Sequence, residues 1–155
     1  MKIVYCLNSI RYIGGIQMVT VVKANALAEI PGNEVYVVVT DNKDGANLHK
    51  LSPKVHLVNL DINYYYRDRE RPVWVMMFIR SYKRRLHRKA LNRFLDELKP
   101  DVVISVGLSE KFMVLSNKRR TWKVIREFHS EKNYRVKHAE SLFQKCTGAL
   151  SDFYE

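Results

Sequence analysis

Two adjacent glycines, Gly14 and Gly15, stand at the end of a short loop and directly before a segment with helical spacing. Without a Cβ at either position, backbone N–H groups can approach a ligand closely. They do so at the positive end of a helix dipole, where a phosphate is favoured. A glycine pair also serves as a tight turn where a strand and a helix pack closely, and the residues alone leave both uses open. The dinucleotide fingerprint GxGxxG is absent, because the two glycines are contiguous, no third follows, and about six residues separate the first apolar run from them. Asp41 lies just past the second apolar run, where an acidic residue would hold a nicotinamide ribose, so a nicotinamide reading is weakened without being removed.

Other residues with chemical potential are few. His129 and Ser130 follow the run Trp122 to Phe128, and Gly107 and Ser109 follow Asp101-Val102-Val103-Ile104-Ser105. His129 is either a ligand contact or a surface loop residue. Cys6 and Cys146 are the two cysteines, with no CxxC and no histidine at metal-ligand spacing, so they read as reduced thiols and no metal site is expected. Between Arg67 and Arg93 there are ten Lys or Arg residues (Arg67, Arg69, Arg71, Arg80, Lys83, Arg84, Arg85, Arg88, Lys89, Arg93) against Asp68 and Glu70. Much of the formal charge of +11 therefore sits in one stretch, which draws phosphates, nucleic acid or anionic lipid.

The elements that must position these groups follow from apolar periodicity. Ile3 to Leu7 is an apolar run without alternation, as in a strand buried on both faces of a parallel sheet. Ile16 to Ile30 carries Met18, Val19, Val22, Ala26 and Leu27 at helical spacing, and Pro31-Gly32-Asn33 stops it. Val35 to Val39 is a second buried strand, which completes a βαβ unit with a right-handed crossover. Val55 to Leu60 is a third strand, and Asp61 to Arg71 is a polar, aromatic loop. From Val73 to Leu98 apolar residues recur every three or four positions, giving one long helix or two abutting ones, closed by Pro100. Asp101 to Ser105 and Trp122 to Phe128 are further strands, with helices expected near 111–116 and over 134–145. The alternation predicts an α/β, Rossmann-like parallel sheet with helices on both faces. At 155 residues, 46% apolar and 28% charged, the chain reads as one globular domain.

Met1-Lys2-Ile3-Val4-Tyr5 running through Asn8 to Gly14-Gly15-Ile16-Gln17, with Pro100-Asp101-Val102-Val103-Ile104-Ser105 and Arg126-Glu127-Phe128-His129-Ser130, resembles the N-terminal domain of family 4 glycosyltransferases. The likeness covers nearly the whole chain, and it rests on the order and spacing of these segments. It implies residues 1–155 as the acceptor-side half of a retaining GT-B enzyme, in which two Rossmann-like domains face each other across a cleft. The full-length protein would then transfer a hexose-type sugar from a UDP- or GDP-linked donor to a glycan or lipid-linked acceptor, in polysaccharide or glycolipid biosynthesis. The resemblance places Gly14 and Gly15 beside the donor diphosphate and His129 on the donor sugar. Asn8, Gln17, Gly107, Ser109 and Ser130 would line the acceptor cleft. It implies no cofactor beyond the nucleotide-sugar co-substrate, and no catalytic base, since the departing diphosphate helps take the acceptor proton. The family's paired glutamates, seven residues apart, belong to the second domain, and no two glutamates here have that separation. The chain also stops at Glu155, before the strand that would complete the sheet. The expectation is a truncated half that lacks the donor-binding domain and turns over nothing alone.

The basic stretch adds a second expectation. Trp74, Met77, Arg80, Arg84, Arg85 and Arg88 are candidates for contact with an anionic membrane surface. For Leu86 to Leu98 the apolar stripe should cover the sheet, whereas for Pro72 to Tyr82 membrane or acceptor contact stands level with core packing. A non-catalytic module docking on membrane or nucleic acid through this helix is the alternative function, although no helix-turn-helix, zinc-finger or RRM pattern supports nucleic acid. The polar Asn8 and Ser9 cut the first apolar run short of a secretory h-region, and Val73 to Ile79 is far below the roughly 20 residues that span a bilayer. A cytoplasmic protein, peripheral at the inner membrane face, is therefore expected.

Overall fold

A computed structural model describes residues 1–11, 14–41, 50–64, 73–106 and 121–127. The strands are β1 (Lys2–Leu7), β2 (Glu34–Val39), β3 (Val55–Asn59), β4 (Val102–Ser105) and β5 (Lys123–Arg126). The helices are α1 (Gly15–Ala28) and α2 (Val73–Leu98). All strands are parallel, in the order β3-β2-β1-β4-β5. The helices expected near 111–116 and over 134–145 lie outside the described residues.

Alternate residues of each central strand feed two cores, one on each face. Ile3, Tyr5 and Leu7 of β1 and Val35, Val37 and Val39 of β2 pack with Val21, Ala24 and Ala28 of α1. Val4 and Cys6 of β1, Val38 of β2 and Val103 of β4 pack with Leu91 and Leu95 of α2. The helices thus cover opposite faces, and the α/β, Rossmann-like expectation holds. A strand buried on both sides gains nothing from alternation, which is why β1 and β2 read as unbroken apolar runs.

The inward face of α1 differs from the stripe that its sequence suggests. Met18, Val19, Val22 and Ala26 are exposed, and the buried residues are Thr20, Val21, Ala24 and Ala28. Apolar residues occur around nearly the whole circumference, so spacing alone cannot select a face. The small side chains at 24 and 28 let the helix axis come close to the sheet, while the Thr20 hydroxyl donates to the Ile16 carbonyl at 2.8 Å and so is not left unpaired. α1 also ends at Ala28 rather than Ile30. Asn33 Nδ2 donates to the Leu27 carbonyl at 3.1 Å, and Gly32 takes φ 85°, which an L side chain rarely adopts.

At 26 residues, about 39 Å at 1.5 Å per residue, α2 is roughly twice as long as the six-residue strands it packs against. Its carboxyl end lies at the start of the sheet: Lys99 takes φ 49°, its N–H donates to the Leu95 carbonyl at 2.9 Å, and the chain turns into β4 through Asp101. Asp101 Oδ2 accepts the Lys2 N–H at 2.7 Å. α2 therefore runs antiparallel to the strands, and its amino half projects past their carboxyl ends.

Candidate functional site at the carboxyl edge

In this strand order the chain moves outward from β1 to β2 and β3, then returns to the other side of β1 for β4 and β5. The reversal point is the gap between β1 and β4, and open α/β sheets collect ligands just outside it. The β1–α1 loop emerges at this point. Its first residue, Asn8, is fastened to the end of β2: the Asn8 carbonyl accepts from Thr40 N (3.1 Å), Thr40 Oγ1 (3.1 Å) and Asp41 N (3.0 Å). Next, Ser9 is buried and its Oγ accepts the Arg11 N–H at 3.1 Å, while Ile10 is fully enclosed. On the other side, Val106 N donates to the Cys6 carbonyl at 3.0 Å, which ties the end of β4 to β1.

α1 begins at this anchored loop. Gly14 is its N-cap residue in extended conformation (φ −144°, ψ 154°), and its carbonyl accepts Met18 N at 3.0 Å. No side chain makes a capping hydrogen bond, and the first turn holds no acidic residue. The first amides of an α-helix have no partner within the helix, so those of α1 face the carboxyl edge with no acidic side chain of the helix's own first turn at their positive dipole end. A Cβ on Gly15 would meet nothing within 4 Å among the described residues, and one on Gly14 would overlap only the Gln17 side-chain amide. Among the described residues, neither glycine is required by contact with a neighbouring strand or helix.

Of the residues singled out from sequence, Asn8, Gly14, Gly15 and Gln17 are brought together here. Asp41 ends β2 at the same edge, one strand away from the reversal point. Gly107, Ser109, His129 and Ser130 lie outside the described residues. β4 and β5, which those segments follow, do end at this edge, and Glu127 N donates to the Ser105 carbonyl at 3.0 Å.

Two residues at this edge carry interactions that sequence reasoning did not assign. Arg11 is the one basic residue between β1 and the glycine pair, and it is half-buried. Its sequence signal was a cation preceding a phosphate-type loop. Glu127 forms an ion pair with Lys23 of α1 at 3.1 Å, with the glutamate side chain only 17% exposed. It spans 104 residues, which no local pattern could indicate. Burial, with the Glu127 charge adding to it, pushes the Tyr5 hydroxyl up to about 12, so Tyr5 is a neutral core residue and not an acid-base candidate.

The projecting half of α2 forms the other notable surface. His87 is 1% exposed, and its Nδ1 is hydrogen-bonded to the Tyr64 hydroxyl at 3.0 Å. Lys83 Nζ donates to the Asn63 carbonyl at 2.6 Å. These contacts clamp α2 to the segment after β3 at the level of the strand ends. Asp61 and Asn63 there take left-handed φ values of 52° and 55°, which Asp and Asn tolerate better than most residues. Burial lowers the His87 imidazole from 6.5 to about 4. Beyond the clamp, Trp74 (67%), Met77 (68%), Phe78 (74%) and Tyr82 (63%) are exposed, as are Arg80, Arg84, Arg85 and Arg88. In the same half of α2, Val75, Met76 and Ile79 are partly buried. The second half covers the sheet through His87, Leu91 and Leu95, although Leu86 stays 40% exposed. A shallow groove of about 330 Å³ continues along the helix, lined by Leu86, Lys89, Ala90, Arg93, Phe94 and Glu97.

Among the described residues, no cluster of three or more His, Cys, Asp or Glu side chains could hold a metal ion, and no helix is long and apolar enough to cross a membrane. No protein-family model, curated protein or solved structure matches the chain.

Proposed function

We propose that the chain is the acceptor-side domain of a sugar-nucleotide-dependent glycosyltransferase, moving a hexose-type sugar from a UDP- or GDP-linked donor to a glycan or lipid-linked acceptor. The observation that carries this reading is the Gly14-Gly15 pair at an uncapped helix start beside the sheet's reversal point, with no described residue within 4 Å of where the Gly15 Cβ would be. An anionic diphosphate suits that place through backbone N–H donors and the helix dipole, without a metal. Arg11, in the loop before the pair, supplies a cation close in sequence to the same anion.

In such a reaction the bond from the anomeric carbon to the diphosphate breaks as the acceptor hydroxyl bonds to that carbon on the same face. The departing diphosphate oxygen takes the acceptor proton. The domain contributes orientation and charge stabilisation rather than a nucleophile. The α1 amides hold the leaving diphosphate, His129 hydrogen-bonds the donor sugar, and Asn8, Gln17, Gly107, Ser109 and Ser130 shape the acceptor side. The nucleotide itself needs a second domain.

The test is sugar transfer from a panel of UDP- and GDP-hexoses by the full-length natural protein beside residues 1–155. Transfer by the full-length protein alone, lost in Gly15→Asp, supports the reading. Absence of binding and transfer in both removes it.

A further inference from the structure

We propose that the projecting half of α2 docks on an anionic phospholipid surface, with Trp74, Phe78 and Tyr82 entering the headgroup–acyl boundary and Arg85, Arg88 and Lys89 meeting lipid phosphates. The sequence leaves core packing and surface contact level for this segment, and the structure exposes Trp74, Met77, Phe78 and Tyr82 of it. Trp74, Phe78, Tyr82 and Leu86 are spaced by four residues, so they form one slowly turning stripe on the helix surface. Each is at least 40% exposed. Leaving that many large apolar side chains contiguous in water is costly, which marks the stripe as a contact surface.

Charge identifies the partner. From Val73 to Leu95 α2 contains no acidic residue, and none of the ion pairs among the described residues engages Arg85, Arg88 or Lys89. A protein partner would need to be both apolar and acidic over the same stripe, whereas a phospholipid surface of negative charge supplies that combination everywhere. Arg85 and Lys89 lie along the stripe itself, and their long stems let the charged ends reach headgroup level while the apolar residues go deeper. Nucleic acid fits less well, because Met77 and Leu86 offer a base neither stacking nor hydrogen bonds.

Position adds a consequence. The stripe lies beyond the carboxyl ends of the strands, on the side of the sheet where the glycine pair sits, so a docked bilayer lies near the candidate site. That favours a lipid-linked acceptor over a free glycan, a step that rests on the transfer reading; the docking itself does not.

The test is co-sedimentation of the full chain with phosphatidylcholine vesicles, with and without about 30% phosphatidylglycerol, at about 50 mM salt. Tryptophan emission serves as a second readout. Trp74 is 67% exposed and Trp122 only 7%, so a blue shift on binding reports Trp74. Binding should require the anionic lipid and shift the emission to the blue, and brominated acyl chains should quench it. Arg85→Gln/Arg88→Gln/Lys89→Gln should weaken binding on the order of 100-fold. Trp74→Ala/Phe78→Ala should weaken it by roughly tenfold or more. All five residues are exposed, so unchanged far-UV dichroism and thermal unfolding in both variants guard against misfolding. Equal binding to neutral vesicles, binding without a blue shift, no binding, or binding unchanged in both variants would overturn the proposal. So would tight binding of duplex DNA or single-stranded RNA with no vesicle binding. Vesicle binding needs no sugar nucleotide, so failure of transfer leaves it standing, and failure of docking leaves transfer to a soluble acceptor open.

Discussion

Replacing the buried His87–Tyr64 pair should remove a specific part of the protein's acid sensitivity. His87 is 1% exposed, and its imidazole titrates at about 4 in the folded protein against 6.5 in an exposed chain. Between those values the unfolded state binds a proton that the folded state refuses, so stability rises with pH through this window and falls as acid is added. The full difference corresponds to about 3 kcal/mol at 1.36 kcal/mol per unit, reached only below about pH 4, and about 2 kcal/mol is already lost by about pH 5. His87→Leu alone would take away one partner of the Tyr64 hydroxyl, so the comparison is His87→Leu/Tyr64→Phe, which removes both members of the pair. Urea unfolding followed by circular dichroism from about pH 7.5 to about pH 4.5, for wild type and double variant, isolates the term as the difference of two curves. Other titrating groups cancel in that difference. The wild type should lose about 2 kcal/mol more than the variant on going to about pH 5. Parallel curves would refute the idea that His87 is held neutral by burial, and would mean that water or a carboxylate reaches it.

Three further outcomes follow from local geometry. Gly32→Ala should destabilise by about 1 kcal/mol or more, measured by thermal unfolding, because its φ of 85° strains an L residue although no described residue lies within 4 Å of the added Cβ. Leu91→Ala should cost about 2–5 kcal/mol, since Leu91 is fully buried against the sheet, whereas Leu86→Ala, one turn earlier and 40% exposed, should cost less than about 1 kcal/mol. Glu127→Gln should lower stability by less than about 1 kcal/mol, as Lys23 is half-exposed, and the loss should shrink in high salt.

How much of this was legible in the sequence depends on the kind of signal. Strands buried on both faces announced themselves: Ile3 to Leu7 and Val35 to Val39 were bounded to within a residue, because continuous apolar runs of that length have few other uses. The helical stretch from Val73 to Leu98 was legible from spacing and Pro100, whereas its being one helix and not two abutting ones was not. What periodicity could not give was which side of α1 faces inward, since the decision lies with the small Ala24 and Ala28 and not with the larger Met18 and Val22. Nor could it show that α2 outruns its sheet, which depends on strand length and chain direction. At the site, Gly14 and Gly15 were found from their type and position. Their local need was not readable until the space around them was known. The Lys23–Glu127 and Tyr64–His87 contacts join residues far apart in the chain and had no sequence signal.

The most direct measurement of the central claim uses Gly15→Ala, scored twice. With no atom within 4 Å of the new Cβ among the described residues and an ordinary helical position, the substitution should raise unfolding stability by a few tenths to about 1 kcal/mol. The same methyl group stands where a diphosphate would approach the helix start, so calorimetric titration with UDP- and GDP-hexoses should show binding weakened by roughly tenfold or more. Stability up and donor affinity down is the result the account predicts. Donor affinity unchanged in Gly15→Ala would contradict it, because the glycine would then serve neither the fold nor the ligand.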